Sequence, residues 1–197
     1  MFSHLPLPEK PPTSAEEAVA TARDLLEAAG ITGATVTLEK NAAVEGELAG
    51  AELKVSLPVQ ALETALHGAA VAAAAAQGVK VSRTGLTLTE NEPAGLHLRL
   101  EVEAKVFGGT LTIQVEGNAT PEAGTHLRFH GLKMDGGGGM FGGIASAMIR
   151  PKLAALEAAP LDLQRLAGVP VTLTQLTCAD GALTLRGTFS STLPPAL

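Results

Sequence analysis

From Leu96 to Val106 every second residue is apolar (Leu96, Leu98, Leu100, Val102, Ala104, Val106), and His97, Arg99, Glu101, Glu103 and Lys105 stand between them. A helix would scatter those apolar side chains around its circumference, whereas a strand places them all on one face. The run predicts a strand with Leu98, Leu100 and Val102 buried and Arg99, Glu101 and Glu103 exposed. Gly108-Gly109 follows as a two-residue hairpin turn, whose positive φ glycine adopts freely. Leu111, Ile113 and Val115 then return against Thr112, Gln114 and Glu116. Leu127 and Phe129 continue the dry face, and Gly131 switches the parity to Leu132 and Met134, which predicts a β-bulge. Upstream the period of two begins at Val79, and Leu86 and Leu88 precede a turn at Asn91-Glu-Pro-Ala-Gly95.

Such a sheet has to cover its dry face, and apolar helices are the cover at hand. Ser14 with Glu17 makes a capping box; Val19, Ala22, Leu25, Leu26 and Ala29 repeat at helical spacing, and Gly30 takes the C′ position. Val36 and Leu38, then Ala51, Leu53, Val55 and Leu57, alternate as strands. Pro58 opens a second helix reaching Gln77, stopped by Gly78, with Val59, Leu62, Leu66, Ala69 and Ala70 on its apolar face. A third helix, over 141–158, carries Phe141, Ile144, Ala145, Met148, Ile149, Leu153 and Leu156 at helical spacing, with Pro151 inside it. Val169–Cys178 and Ala182–Phe189 form a last hairpin through Asp180-Gly181. The expected fold is α+β: a long curved antiparallel meander wrapped around apolar helices. Residues 1–12 form a Pro-rich tail, 13–45 an N-terminal helix and strand, 46–190 the curved-sheet domain and 191–197 a second tail.

Composition removes several function classes. The 197 residues include no Trp or Tyr and carry a net charge of -6, so the chain lacks the stacking platforms and the positive field that nucleic acid requires. The acid is concentrated before His67, and beyond it acidic and basic residues balance. Cys178 is the single cysteine, which excludes an internal disulfide and suits a buried structural thiol. With no basic-then-apolar leader and no window apolar enough for a membrane span, a cytoplasmic location is expected.

The glycine tract Gly136-Gly137-Gly138-Gly139, with Met140 and Phe141 behind it, stands between strand and helix. Helix N-termini attract phosphate, but the Lys-Ser/Thr ending of a P-loop is replaced by Met140-Phe141. A lipid headgroup with Arg150 and Lys152 further along the helix is one use of the tract; a plain linker is the other. His97, His126 and His130 share the wet face with Arg99 and Arg128, a solvated strand face and not a metal site. Glu101 and Glu103 are solubilising charges, and Ser146 has no nucleophile elbow or nearby base. No catalysis, metal or cofactor is expected. Methionines such as Met134, Met140 and Met148 suit a plain core or an adaptable acyl pocket.

The C-terminal order is an alternating strand, a Gly-rich turn, the helix Phe141-Gly-Gly-Ile-Ala-Ser-Ala-Met-Ile-Arg-Pro-Lys-Leu153, a Pro-Leu-Asp-Leu connector, and a hairpin ending Gly181-Ala-Leu-Thr-Leu-Arg-Gly187. Over roughly 53–189 it resembles the LmeA-like phospholipid-binding proteins, related to the tubular lipid-binding (TULIP) superfamily. The resemblance implies a curved sheet on a long helix with an acyl-chain groove. Its lining would be Leu62, Leu66, Leu100, Ile113, Phe129, Met134, Phe141, Ile144, Met148, Ile149 and Leu153. Gly136–Gly139, Met140, Arg150 and Lys152 would form a headgroup gate. The expected function is a non-catalytic lipid- or fatty-acyl-binding protein with peripheral membrane contact. A closed-core interaction module is the alternative, and a hydrolase the third.

Overall fold

The computed structural model describes residues 15–39, 51–75, 78–91, 95–106, 109–122, 124, 126–137, 139–162 and 171–189. It is an α+β fold whose strands segregate into two antiparallel sheets. β1 (Thr35–Glu39), β2 (Glu52–Pro58), β8 (Val171–Ala179) and β9 (Ala182–Phe189) make one, in the order β1-β2-β9-β8. β3 (Lys80–Asn91), β4 (Gly95–Val106), β5 (Gly109–Glu122), β6 (His126–Asp135) and the two-residue β7 (Leu161–Asp162) make the other, in sequence order. The single curved meander expected from the alternation is thus divided in two, and neither sheet is strongly curled. The division arises because β2 pairs with β9, Val55 opposite Leu185 and Leu57 opposite Leu183, instead of continuing into β3.

Helix α1 (Ala15–Ala28) lies on the four-stranded sheet. Its alanines Ala18 and Ala22 allow close approach to Val36, Ala51, Leu53 and Phe189, and these six residues form the buried core cluster. The N-terminal helix and strand therefore share one core with the C-terminal hairpin. Gly30 (φ 76°) ends α1: Ile31 N–H donates to the Leu26 carbonyl and Gly30 N–H to that of Glu27, both at 2.9 Å. This is a Schellman motif, and the sequence placed its glycine correctly. Ser14 of the expected capping box lies outside the described residues.

Helix α2 (Val59–Ala75) ends in the same way at Gly78 (φ 66°), where Val79 N–H donates to the Ala74 carbonyl at 3.1 Å. Gln77, its expected last residue, is outside the described set. The first amide of α2, on Val59, donates to the Gly181 carbonyl at 2.8 Å. The β8–β9 turn that caps it has positive φ at both Asp180 (51°) and Gly181 (73°), the type I′ geometry that Asp-Gly favours.

β4 runs over the expected residues. Leu96 and Ala104 are buried near its ends, and Arg99 and Lys105 are exposed. In the middle the contrast fades: Leu98, Leu100, Val102, Glu101 and Glu103 are all half-buried. On the wet face the polar side chains cover one another, Gln114 Nε2 donating to Glu101 Oε2 at 2.9 Å and Arg99 lying 3.6 Å from Glu116. On the dry face the cover is incomplete. Val106 pairs with Gly109, so Gly109, expected in the hairpin turn, belongs to β5; Gly108 lies outside the described residues. At the expected bulge, Gly131 (φ 63°) and Leu132 oppose the single residue Gly117. A Cβ on Gly117 would stand 2.5 Å from Leu132 Cδ2 and 3.2 Å from Leu132 Cα, so glycine here gives the bulged Leu132 side chain its room.

The two long helices flank the five-stranded sheet at its edges. α2 packs against β3, and α3 (Gly139–Ala158) against β6, with a smaller contact to β5. Each helix offers a glutamate to a strand amide: Leu86 N–H of the edge strand β3 donates to Glu63 Oε2 at 3.0 Å, and Leu132 N–H, on the part of β6 that β7 leaves uncovered, to Glu157 Oε1 at 2.7 Å. Unpaired edge amides invite pairing with other chains, and these carboxylates occupy two of them. Among the described residues no helix is long and apolar enough to cross a membrane.

β8 joins the sheets by crossing the ends of β3, β4 and β5. Leu173 N–H donates to the Gly124 carbonyl, and Cys178 N–H to Glu90 Oε1 at 3.0 Å. The Cys178 thiol donates to the Leu88 carbonyl at 3.6 Å. Burial, reinforced by the Glu90 carboxylate, pushes this thiol up from its ordinary pKa. Since the thiolate is the nucleophile, iodoacetamide at pH 8 should alkylate Cys178 several-fold more slowly in the native chain than in urea. Equal rates would mean the β3–β8 junction opens readily in solution.

Candidate functional site

Strand register aligns the dry face of the five-stranded sheet into apolar rows. Leu86, Leu100, Val115 and Met134 stand side by side across β3 to β6, and Val102 and Ile113 make the next row. All six are half-buried. The buried apolar side chains of this face stand at the ends of the strands, at Leu96 and Ala119 on one side and Val81 and Ala104 on the other; between them, Thr84 under α2 and Gly117 at the bulge are buried as well. The middle is left open because both helices make their main contacts with edge strands. No residue of α2 is buried. Beside the Glu63–Leu86 bond, a second polar link to the sheet runs through His67 Nδ1, 3.1 Å from Oγ1 of the buried Thr84.

At the β6 edge this face meets a cavity of about 500 Å³ lined by Leu132, Lys133, Met134, Arg150, Leu153, Ala154 and Glu157. The bulge at Gly131 places Leu132 and Met134 on the dry side, and helical spacing sets Leu153 and Glu157 on the same side of α3. Leu132, Met134 and Leu153 supply apolar wall; Arg150 and Lys133 supply positive charge. Glu157 is engaged by the Leu132 amide. Neither Arg150 nor Lys133 forms an ion pair among the described residues, whereas Arg99, Arg128 and Arg186 each face a glutamate. The Arg128–Glu122 pair holds the Glu122 carboxyl below its usual range through hydrogen bonding and charge, out on the wet face.

The expected lining residues divide into three groups. Leu62 and Leu66 on α2, Leu100, Ile113, Phe129 and Met134 on the sheet, and Ile149 and Leu153 on α3 are half-buried. Met134 and Leu153 meet in the cavity. Ile144 and Met148 are 53% and 47% exposed, and helical spacing puts them on the side of α3 opposite Leu153. The side chains of Met140 and Phe141 lie outside the described residues. The cavity also includes Leu132, Lys133, Ala154 and Glu157, which the expected lining did not contain. The parity switch at Gly131 was the available signal for Leu132; Glu157 had none, since a lone glutamate in a helix resembles a solvated charge.

The start of the glycine tract, Gly136-Gly137, is held in place. Asp135 Oδ1 accepts the Gly137 N–H at 3.1 Å, so one anion already caps this turn. The helix begins at Gly139, two residues before the expected start, and Gly138 lies outside the described residues. Gly142 is buried against the carbonyls of Gly136 and Gly137. Arg150 lies about 16 Å along the helix from Gly139 at 1.5 Å per residue and lines the cavity. Lys152 is exposed.

On the wet face, Asn118 Oδ1 accepts from Asn91 Nδ2 at 3.1 Å and lies 3.3 Å from His97 Nδ1. Among the described residues no three His, Cys, Asp or Glu side chains gather as a metal site. Comparison with protein-family models, with curated proteins and with solved structures finds no match to this chain.

Proposed function

We propose that the protein is a non-catalytic carrier of a lipid or fatty-acyl chain, held against the dry face of the five-stranded sheet and α3. The observation that carries this reading is the cavity of about 500 Å³, which opens beside a sheet face whose central apolar rows are only half covered. Its size falls within the roughly 300–1,000 Å³ range of small-molecule sites. Its lining is apolar apart from Arg150, Lys133 and Glu157, a composition suited to an alkyl chain ending in an anion. On this reading the sheet with α2 and α3 at its edges is the counterpart of the half-barrel groove in LmeA-like proteins, which the order of elements in the sequence resembles.

Leu153→Trp should fill the cavity and abolish uptake of a fluorescent fatty acid. Met148→Trp, one turn away on the exposed side, should leave uptake unchanged. Native mass spectrometry of gently purified protein should show a co-purified lipid mass. Unaltered uptake by a folded Leu153→Trp variant would overturn the site. A clean mass, with Leu153→Trp losing about 1–3 kcal/mol of stability as an overpacked core does, would favour a closed-core interaction module.

A further inference from the structure

We propose that the outer face of α3 is a docking surface for an anionic lipid bilayer. Ile144 and Met148 are one turn apart and are the most exposed large apolar side chains among the described residues. Exposed Pro151 and Ala155 continue their line. At about 100° per residue these four fall in one narrow sector, on the opposite side of the helix from Leu153 and Ile149. Arg150 and Lys152, both exposed, stand on either flank of that sector. An apolar stripe bordered by cations suits a helix lying in the membrane interface. The apolar side chains enter the acyl boundary, and the long cationic ones reach back to headgroup phosphates.

The charge pattern selects this occupant over a second copy of the chain. The protein as a whole carries a net charge of -6, yet the exposed side of α3 has no free carboxylate: its only acid, Glu157, is occupied by the Leu132 amide. Two copies pairing symmetrically through the stripe would bring Arg150 and Lys152 of one against the same cations of the other. Like charges in such a contact repel, and no acid on this face offsets them. Anionic headgroups meet the same two cations with opposite charge. The docking goes beyond ligand carriage and does not require the cavity to be filled. Arg150 nonetheless belongs to both, so the cavity mouth would open next to the bilayer.

The test is co-sedimentation of the full chain with vesicles of phosphatidylcholine alone and of phosphatidylcholine with about one third phosphatidylglycerol. Wild type should bind the anionic vesicles on the order of 30-fold more tightly than the neutral ones, as two interfacial cations predict. Added salt should erase most of the difference. Ile144→Asp/Met148→Asp should lose binding to both, and Arg150→Gln/Lys152→Gln should lose the anionic preference. These positions are exposed, and unchanged circular dichroism and urea midpoints confirm that the variants fold. Fatty-acid uptake in solution should survive Ile144→Asp/Met148→Asp, while Leu153→Trp should lose uptake and keep vesicle binding, so that failure of docking and failure of carriage are told apart. Wild type indifferent to all vesicles, or Ile144→Asp/Met148→Asp binding as wild type does, would overturn the proposal. So would a dimer that this double variant dissolves in the absence of vesicle binding.

Discussion

Phe189→Ala should cost about 3–5 kcal/mol of stability, while Ile113→Ala in the ligand-free protein should cost only about 1 kcal/mol, half of what full burial of such a side chain contributes. Phe189 is 4% exposed and sits where α1, β1, β2 and β9 meet, against Ala18, Ala22, Val36 and Leu53. Its amide also donates to the Ala51 carbonyl at 3.0 Å, so the backbone is held in place and cannot collapse freely into the space left behind. Ile113 lies on the half-covered face of β5, and truncating it leaves an opening to solvent instead of an enclosed cavity. Urea unfolding of the two variants gives both numbers. A loss of 3–5 kcal/mol is a large fraction of a single domain's total stability, so Phe189→Ala should be marginally folded at 37 °C. Should Ile113→Ala prove as costly as Phe189→Ala, the sheet face is closed in solution and the open-groove reading falls.

That contrast marks where sequence patterning reaches and where it stops. Signals that act within a few residues were legible: the alternation from Leu96 to Val106, the bulge at Gly131, the Asp180-Gly181 turn, and the glycines Gly30 and Gly78 that end two helices. Each depends on a backbone geometry that local chemistry dictates. The division into two sheets depends on β2 choosing β9 as its neighbour, a pairing between opposite ends of the chain. Alternation tells a strand which of its faces is dry but not which strand lies beside it.

The site was half legible for a similar reason. α3 is apolar almost all round, so Ile144-Met148 and Ala145-Ile149-Leu153 are equally good helical stripes by spacing alone. What separates them is the approach of β6, fixed by Glu157 reaching the Leu132 amide. A carboxylate that binds a backbone amide is indistinguishable in sequence from one in water. The same holds for Glu63 on the opposite edge.

Two adjacent glycines of α3 should respond to alanine with opposite signs. Gly143→Ala should stabilise the protein by about 0.5–1 kcal/mol, because glycine inside a helix carries an entropic penalty and an added methyl there meets nothing within 4 Å. Gly142→Ala should destabilise it by about 1–3 kcal/mol, as overpacking does. A Cβ at 142 would collide with the Gly137 carbonyl oxygen and stand 2.6 Å from that of Gly136. Both obstacles are backbone, and the segment that carries them is tied by the Asp135–Gly137 hydrogen bond, so no side chain can swing aside to make room. Relief requires the β6–α3 connection to lift off the helix, starting next to Met134, whose Cε already lies 3.2 Å from where a Gly136 Cβ would be. Since Met134 lines the cavity, Gly142→Ala should also weaken fatty-acid uptake, whereas Gly143→Ala should not. Urea midpoints of the pair decide the matter. If both substitutions stabilise, the tract is a plain linker that the helix does not hold, and the position of α3 over the cavity is set by β6 and Glu157 alone.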